Sequence, residues 1–232
     1  MAERDAATAP QARPADTGWL DVALAGEPMR LSGDRALYWP ARRRLLLADL
    51  HLGKGDTFRS AGIALPSGGT AHDLERVSAL LYASGAASVW VLGDMLHGST
   101  RERRWREGWD AWRARHPALE IVVLAGNHDR ALPRAGLDLS LAGAAVDDGP
   151  FALRHLPQAH SRRHVLCGHL HPVVRLRGVP RRWPAFWLRP EYTVLPAFSR
   201  FTGGLAVTAE DGDRLVACVD GAAVPLAGPR SG

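Results

Sequence analysis

Arg44-Leu45-Leu46-Leu47-Ala48-Asp49-Leu50-His51 is an apolar run that ends in an aspartate and a histidine two residues apart. A run this short and continuous reads as a strand covered on both faces. The polar pair falls just past the strand's carboxyl end, where α/β proteins place their ligands. Working outward, the pattern recurs. Residues 89–92 lead into Gly93-Asp94, residues 121–125 into Gly126-Asn127-His128-Asp129, and residues 165–167 into Gly168-His169-Leu170-His171. The strand-like stretch 151–154 delivers a lone His155.

Between the first two motifs, residues 71–83 place Leu74, Val77, Leu80 and Leu81 on one helical face, and residues 101–115 predict a second helix. Short strands are expected at 19–24 and 36–39, and again at 192–195, 205–207 and 215–219. Strand–helix repeats followed by a strand-rich half predict an α/β architecture of two packed sheets flanked by helices. Residues 172–190 hold four prolines and five arginines and read as a long irregular loop. Residues 1–17, rich in Ala, Pro and charge, read as a disordered tail, leaving 18–227 as one domain.

Composition excludes several classes. The apolar runs are too short to span a bilayer, and no apolar segment follows the N-terminal charges, so a cytoplasmic protein is expected. Cys167 and Cys218 lack zinc-motif spacing and are expected as buried free thiols, so any metal must be held by nitrogen and oxygen. The net charge of +5 would suit a polyanionic partner. Of 29 basic residues, however, only Lys54 is lysine, a bias that points to nucleotide composition before function.

Each fragment alone has an ordinary explanation: Asp-x-His as a surface loop, Gly-Asp as a turn, a strand-end His as a hydrogen-bonded structural residue. Together they present Asp, His and Asn at five strand ends. Residues two apart in an extended segment point the same way, so Asp49/His51 and His169/His171 could each grip one ion. Two divalent ions about 3.5–4 Å apart could clamp a phosphate and activate a water for in-line attack. A thiolate-free N/O set suits Mn²⁺, Fe²⁺ or Zn²⁺. The glycines before Asp94, Asn127 and His169 permit tight turns and close backbone approach.

The series ADLH, GD, GNHD, a separate His, and GHLH resembles the calcineurin-like metallophosphoesterases over about residues 44–196. The resemblance implies a four-layer α/β/β/α sandwich of two mixed sheets. It implies that Asp49, His51, Asp94 and His171 hold one metal, with Asp94 bridging to a second held by Asn127, His155 and His169. It also implies that His128 contacts the phosphate or protonates the leaving oxygen, with Asp129 orienting it.

Longer stretches, DLHLGKGDTFRSAGIALP from Asp49, GDMLH from Gly93 and LPAFSRFTGG from Leu195, are similar to the ligase-associated (PdeM) subgroup of that family. That similarity implies a manganese-dependent endonuclease or phosphodiesterase of the DNA damage response, working beside a DNA ligase and a helicase. Leu156 departs from the subgroup, standing where an acidic residue is expected. Lys54 and Arg59 are candidate phosphate contacts, weighed against solvated loop charge. His97 is a candidate substrate contact, weighed against a structural hydrogen bond.

Trp105, Trp109 and Trp112 could stack bases, but their helical spacing favours an ordinary buried face. The arginines and tryptophans of 175–187 make a better substrate wall. His72, His116, His160 and His164 are expected as exposed structure. The leading expectation is a two-metal hydrolase of single-stranded or flexible DNA using metal-activated water. Its alternatives are a phosphoesterase of a small nucleotide or cyclic diester, and a non-catalytic repair adaptor.

Overall fold

The computed structural model describes residues 18–64, 68–97, 103–200 and 202–227, so the expected tail at 1–17 lies outside the described residues. The first sheet holds seven strands side by side in chain order: β1 (Trp19–Leu24), β2 (Glu27–Ser32), β3 (Ala36–Trp39), β4 (Arg44–Leu47), β5 (Ser88–Val91), β6 (Glu120–Val123) and β7 (Ser140–Leu141). Strands β1 to β4 pair antiparallel and β4 to β7 parallel. Parallel neighbours need long crossovers. After β4 the chain makes a short α1 (Lys54–Ser60) and then α2 (Gly69–Ser84), and α3 (Arg103–Arg115) connects β5 to β6.

The second sheet follows with β8 (Ala145–Asp148), β9 (Phe151–Arg154), β10 (His164–Cys167), β11 (Pro172–Arg175), β12 (Arg182–Leu188), β13 (Tyr192–Val194), β14 (Leu205–Ala206), β15 (Arg214–Val219) and β16 (Ala222–Pro225). It too is mixed, in the order β14-β11-β12-β13-β10-β9-β8, with β15 on β12 and β16 on β15. Strand alternation sorts the core into layers. Leu37, Trp39 and Leu46 of the first sheet meet Phe151, Leu153, Leu166, Phe186 and Val216 of the second. The opposite face of the first sheet, with Tyr38, Leu45, Leu47, Val89 and Val91, packs on α2 and α3. Among the described residues the helical cover is therefore one-sided. The outer face of the second sheet carries two small clusters around Trp183 and Val165 instead.

Two expectations about the elements meet clear outcomes. Trp105, Trp109 and Trp112 are buried between α3 and the first sheet, and Trp112 Nε1 donates to Ser78 Oγ at 2.9 Å, so this helix packs and its tryptophans do not offer a stacking face. The irregular loop expected at 172–190 is instead a hairpin, β11 against β12. Pro184 disguises it in the sequence. It pairs with Val173 of β11 but lies one residue outside the β15 ladder, which begins at Ala185, so its missing N–H costs little.

His116, His160 and His164 are half-buried rather than exposed. Ser78 Oγ lies 2.8 Å from His116 Nε2, and Thr193 Oγ1 lies 2.9 Å from His164 Nε2. Cys167 and Cys218 are free and buried, as expected. No helix among the described residues is long and apolar enough to cross a membrane.

Candidate metal centre

Where β4 and β5 end, their pairing continues into the loops. His51 N donates to Asp94 O (2.9 Å) and Leu52 N to Met95 O (2.8 Å), which holds the Asp49–His51 turn against Asp94. From the second sheet, His169 N donates to Asp49 Oδ2 and, from the β6 loop, His128 N donates to Asp94 Oδ1, each at 2.9 Å. Each aspartate thus has one oxygen fixed by a backbone N–H, leaving the other to face the cluster.

Three residues, Asp49, His51 and His171, bring donor atoms within 4.8 Å of one another, and so do Asp49, Asp94 and His155. Asn127 and His169 complete the second group. Asn127 Oδ1 lies 2.9 Å from His155 Nε2 and 3.1 Å from His169 Nδ1. All seven residues expected as ligands are therefore brought together, four from loops of the first sheet and three from the second.

The chemistry of these atoms fits a cation. Asp49 Oδ1, both ring nitrogens of His51 and Nε2 of His171 are buried with no hydrogen-bond partner among the described residues. Orphaned groups of this kind are costly and rare in folded proteins. Burial, then the charge of Lys54 and the neighbouring His171, pushes the His51 pKa down to about 2. The ring stays neutral, the form that offers a lone pair to a metal. His155 Nδ1 sits 3.0 Å from Leu92 O, a contact that places the ring proton there. Its Nε2 faces Asn127 Oδ1 at 2.9 Å, His169 Nδ1 at 3.1 Å and Asp94 Oδ2 at 3.5 Å, a convergence of nitrogen and oxygen atoms that a shared cation would satisfy.

The local backbone departs from the extended geometry expected of the two His/Asp pairs. Asp49 (φ 54°), His51 (48°), Asp94 (53°), His169 (72°) and His171 (50°) are all left-handed, five of the nine non-glycine residues with positive φ among the described residues. Alternating left-handed turns aim the i and i+2 side chains at one point. Such conformations cost about 1 kcal/mol or more each and cluster at functional sites. The preceding glycines permit close approach. A Cβ on Gly93 would sit 2.3 Å from His155 Nδ1, and one on Gly126 2.2 Å from Asp94 Oδ1.

The other expected residues fall into two groups. His128 and His97 stand at the cluster, their rings 5.5 and 5.3 Å from that of His51 and 5.2 Å from each other. Burial and Lys54 hold the His97 pKa below the usual histidine range. Lys54, half-buried at the start of α1, feels the charges of Asp49 and Asp94. Arg59, by contrast, is engaged by Asp56 on its own helix.

The Asp129 oxygens accept from Leu96 N and Gly126 N, both at 2.9 Å, so this carboxylate clamps together the loops that carry Asp94 and Asn127, and among the described residues no hydrogen bond joins it to the His128 ring. Leu156 is 41% exposed and lines an apolar hollow of about 360 Å³ beside Asn127 and His155. Two contributors had escaped the sequence reading: the Leu92 carbonyl beside His155 Nδ1, and Arg35, which lines the hollow at His171 together with Arg181 and Arg182 of the stretch already singled out.

A model of the calcineurin-like phosphoesterases matches residues 42–190, and the chain belongs to this family: it is a metal-dependent phosphoesterase. Among solved structures it is similar to the Pseudomonas putida nuclease MPE, at 37% identity and a TM-score of 0.79, over 90% of this chain and 100% of that one. The Yfce phosphoesterase from E. coli is similar at 18% identity and a TM-score of 0.40, over 76% of this chain and 88% of that one. No curated protein matches significantly.

Proposed function

We propose that the protein is a two-metal phosphodiesterase that cleaves single-stranded or flexible DNA internally, as part of DNA repair beside a ligase and a helicase. The observation that carries the reading is the set of buried donor atoms on Asp49, His51 and His171 that have no hydrogen-bond partner among the described residues, with His171 Nε2 and Asp49 Oδ1 facing each other at 3.3 Å. Likeness to a nuclease over the whole of that chain supports nucleic acid as the substrate. Asp49, His51, Asp94 and His171 would hold one divalent ion, and Asp94, Asn127, His155 and His169 the other. Manganese is our choice for both, with Fe²⁺ or Zn²⁺ compatible with the donors. When bound, the ions would supply Lewis acidity at the phosphate and lower the pKa of a water.

The chain's own groups supply the rest. Asp94 Oδ1 accepts from His128 N–H, which fixes the orientation of the carboxylate that would be shared between the ions. The exposed His128 ring would give a proton to the leaving oxygen. Lys54 and His97 flank the same mouth and would steady the non-bridging phosphate oxygens, while Arg59, paired with Asp56, would contribute less.

The test is turnover of single-stranded DNA and of bis-p-nitrophenyl phosphate with Mn²⁺, for the wild type, Asp94→Ala and Asn127→Ala. Both variants should lose at least about 100-fold in rate on both substrates while keeping a native circular dichroism spectrum. Activity surviving both changes would overturn the two-metal assignment. Turnover of the small ester alone, with no salt-sensitive DNA binding, would remove DNA as the substrate.

A further inference from the structure

We infer that a groove lined by arginines, running away from His171, holds the phosphates of the strand that flank the bond being cleaved. The inference rests on the nuclease reading for its purpose, but not for its geometry. Two adjoining hollows, of about 340 and 420 Å³, share Arg35, Arg181, Pro184 and Arg200 as common walls. The first opens at the proposed ligand His171 and adds Arg182; the second continues past Arg76 toward Asp220. Between them they gather five arginines against two aspartates, Asp34 and Asp220.

Several arginines elsewhere are neutralised, Arg42 and Arg44 by Asp148, Arg113 by Asp138 and Arg189 by Glu210, and within the groove Arg76 is neutralised by Asp73. In the groove, Arg182 and Arg200 have no carboxylate within 4.0 Å among the described residues, and Arg181 reaches only Asp220, at 3.9 Å.

Arg35 is the anchor. Its Nη1 donates to the carbonyls of Ala197 (3.3 Å) and Ser199 (2.9 Å), which fixes the guanidinium while its other nitrogens bond to no described residue. Burial and the nearby Arg76 lower its pKa to about 10, so it stays charged at neutral pH beside another cation. Arg76 is paired with Asp73 (3.0 Å) and more loosely with Asp34 (3.8 Å), whereas Arg35 has no carboxylate within 4.0 Å among the described residues, and an anion in the groove would offset its charge. Arg181 is held flat on Trp183, 4.0 Å from guanidinium carbon to ring centre. Trp183 itself is buried, so the wall offers guanidinium groups and no stacking face.

Guanidinium groups grip phosphate oxygens in pairs and read no sequence. A small ester seated at the metals would not reach the second hollow, whereas a strand carries a phosphate at every nucleotide. The ligand chemistry is therefore a single nucleic-acid strand, bound through its backbone.

The test compares wild type with the Arg182→Ala/Arg200→Ala double variant. Arg35 is spared because it supports the Ala197–Ser199 backbone. Anisotropy of a short labelled single-stranded oligonucleotide is measured against salt in EDTA, which stops cleavage. Cleavage kinetics are then measured with Mn²⁺. The variant should bind at least about tenfold more weakly, with a slope of log K against log salt smaller by about 1.4, at roughly 0.7 per lost phosphate contact. The KM for the oligonucleotide should rise, and turnover of the oligonucleotide relative to bis-p-nitrophenyl phosphate should fall.

Unchanged affinity and slope in the variant, or wild-type binding that ignores salt, overturns the groove. A wild type that hydrolyses the small ester but leaves bound DNA intact defeats the nuclease reading instead, and the anisotropy still decides the groove.

Discussion

At the scale of single residues, the site is built by putting side chains where backbone would ordinarily go. Gly93, at φ 82°, lies under the His155 ring, where an added Cβ would stand 2.3 Å from Nδ1. Gly93→Ala should therefore cost about 1–3 kcal/mol from the left-handed backbone alone and push His155 off its Leu92 carbonyl. Thermal unfolding and Mn²⁺ titration should register both a lower midpoint and a weaker affinity; a variant with wild-type metal affinity would show that this approach does not position the ligand. The partnerless atoms make a second prediction. If a cation is what His51 and Asp49 lack, Mn²⁺ at about 100 times its Kd should stabilise the EDTA-treated protein by about 2.7 kcal/mol. His51→Ala should remove most of that gain, and an equal metal-induced shift in this variant would exclude His51 as a ligand.

At the scale of elements, α3 shows what a sequence can decide and what it leaves open. The spacing of Trp105, Trp109 and Trp112 admitted a core face or a stacking face, and 2% exposure of Trp109 settles it as core. Trp109→Ala should cost about 3–5 kcal/mol in denaturant unfolding. Trp109→Leu, assayed well below its melting point, should leave the oligonucleotide affinity as it was; a loss there would return the helix to the substrate surface.

The buried parallel strands β4, β5 and β6 were legible because both faces are covered, so nothing interrupts their apolar runs. The metal cluster was legible for the same reason, since each ligand follows directly from such a strand. Strands β8 and β16 were not, because neither buries any residue fully. For Asp129 the hydrogen bonds were not legible, because sequence adjacency to His128 cannot show that its carboxylate turns back onto Leu96 and Gly126. Arg200 sat inside a stretch already singled out, whereas Arg35 gave no signal, its partners lying more than 160 residues away.

At the scale of the whole molecule, the proposed ligands divide between the two sheets: Asp49, His51, Asp94 and Asn127 from the first, His155, His169 and His171 from the second. The cluster therefore staples together the halves whose apolar faces form the central core, and anything that charges its histidines should loosen both at once. Burial holds His51, His97, His116, His164 and His169 below the usual histidine pKa. In the unfolded chain each titrates near 6.5.

As pH falls through that value the unfolded state takes up protons first, so stability is present above about 6.5 and is lost progressively below it. His51, at about 2, keeps contributing to the loss across the whole acid range. Denaturant midpoints in EDTA should accordingly fall between about pH 7.5 and 5.5, where surface carboxylates change little. His164 separates fold from site: its ring contacts Thr193 Oγ1 and Pro190 O and no proposed ligand. His164→Gln should flatten part of the slope without altering Mn²⁺ affinity. A midpoint indifferent to pH over that range in the wild type would mean that the histidines meet no penalty on protonation, and that the two sheets are held together independently of the site between them.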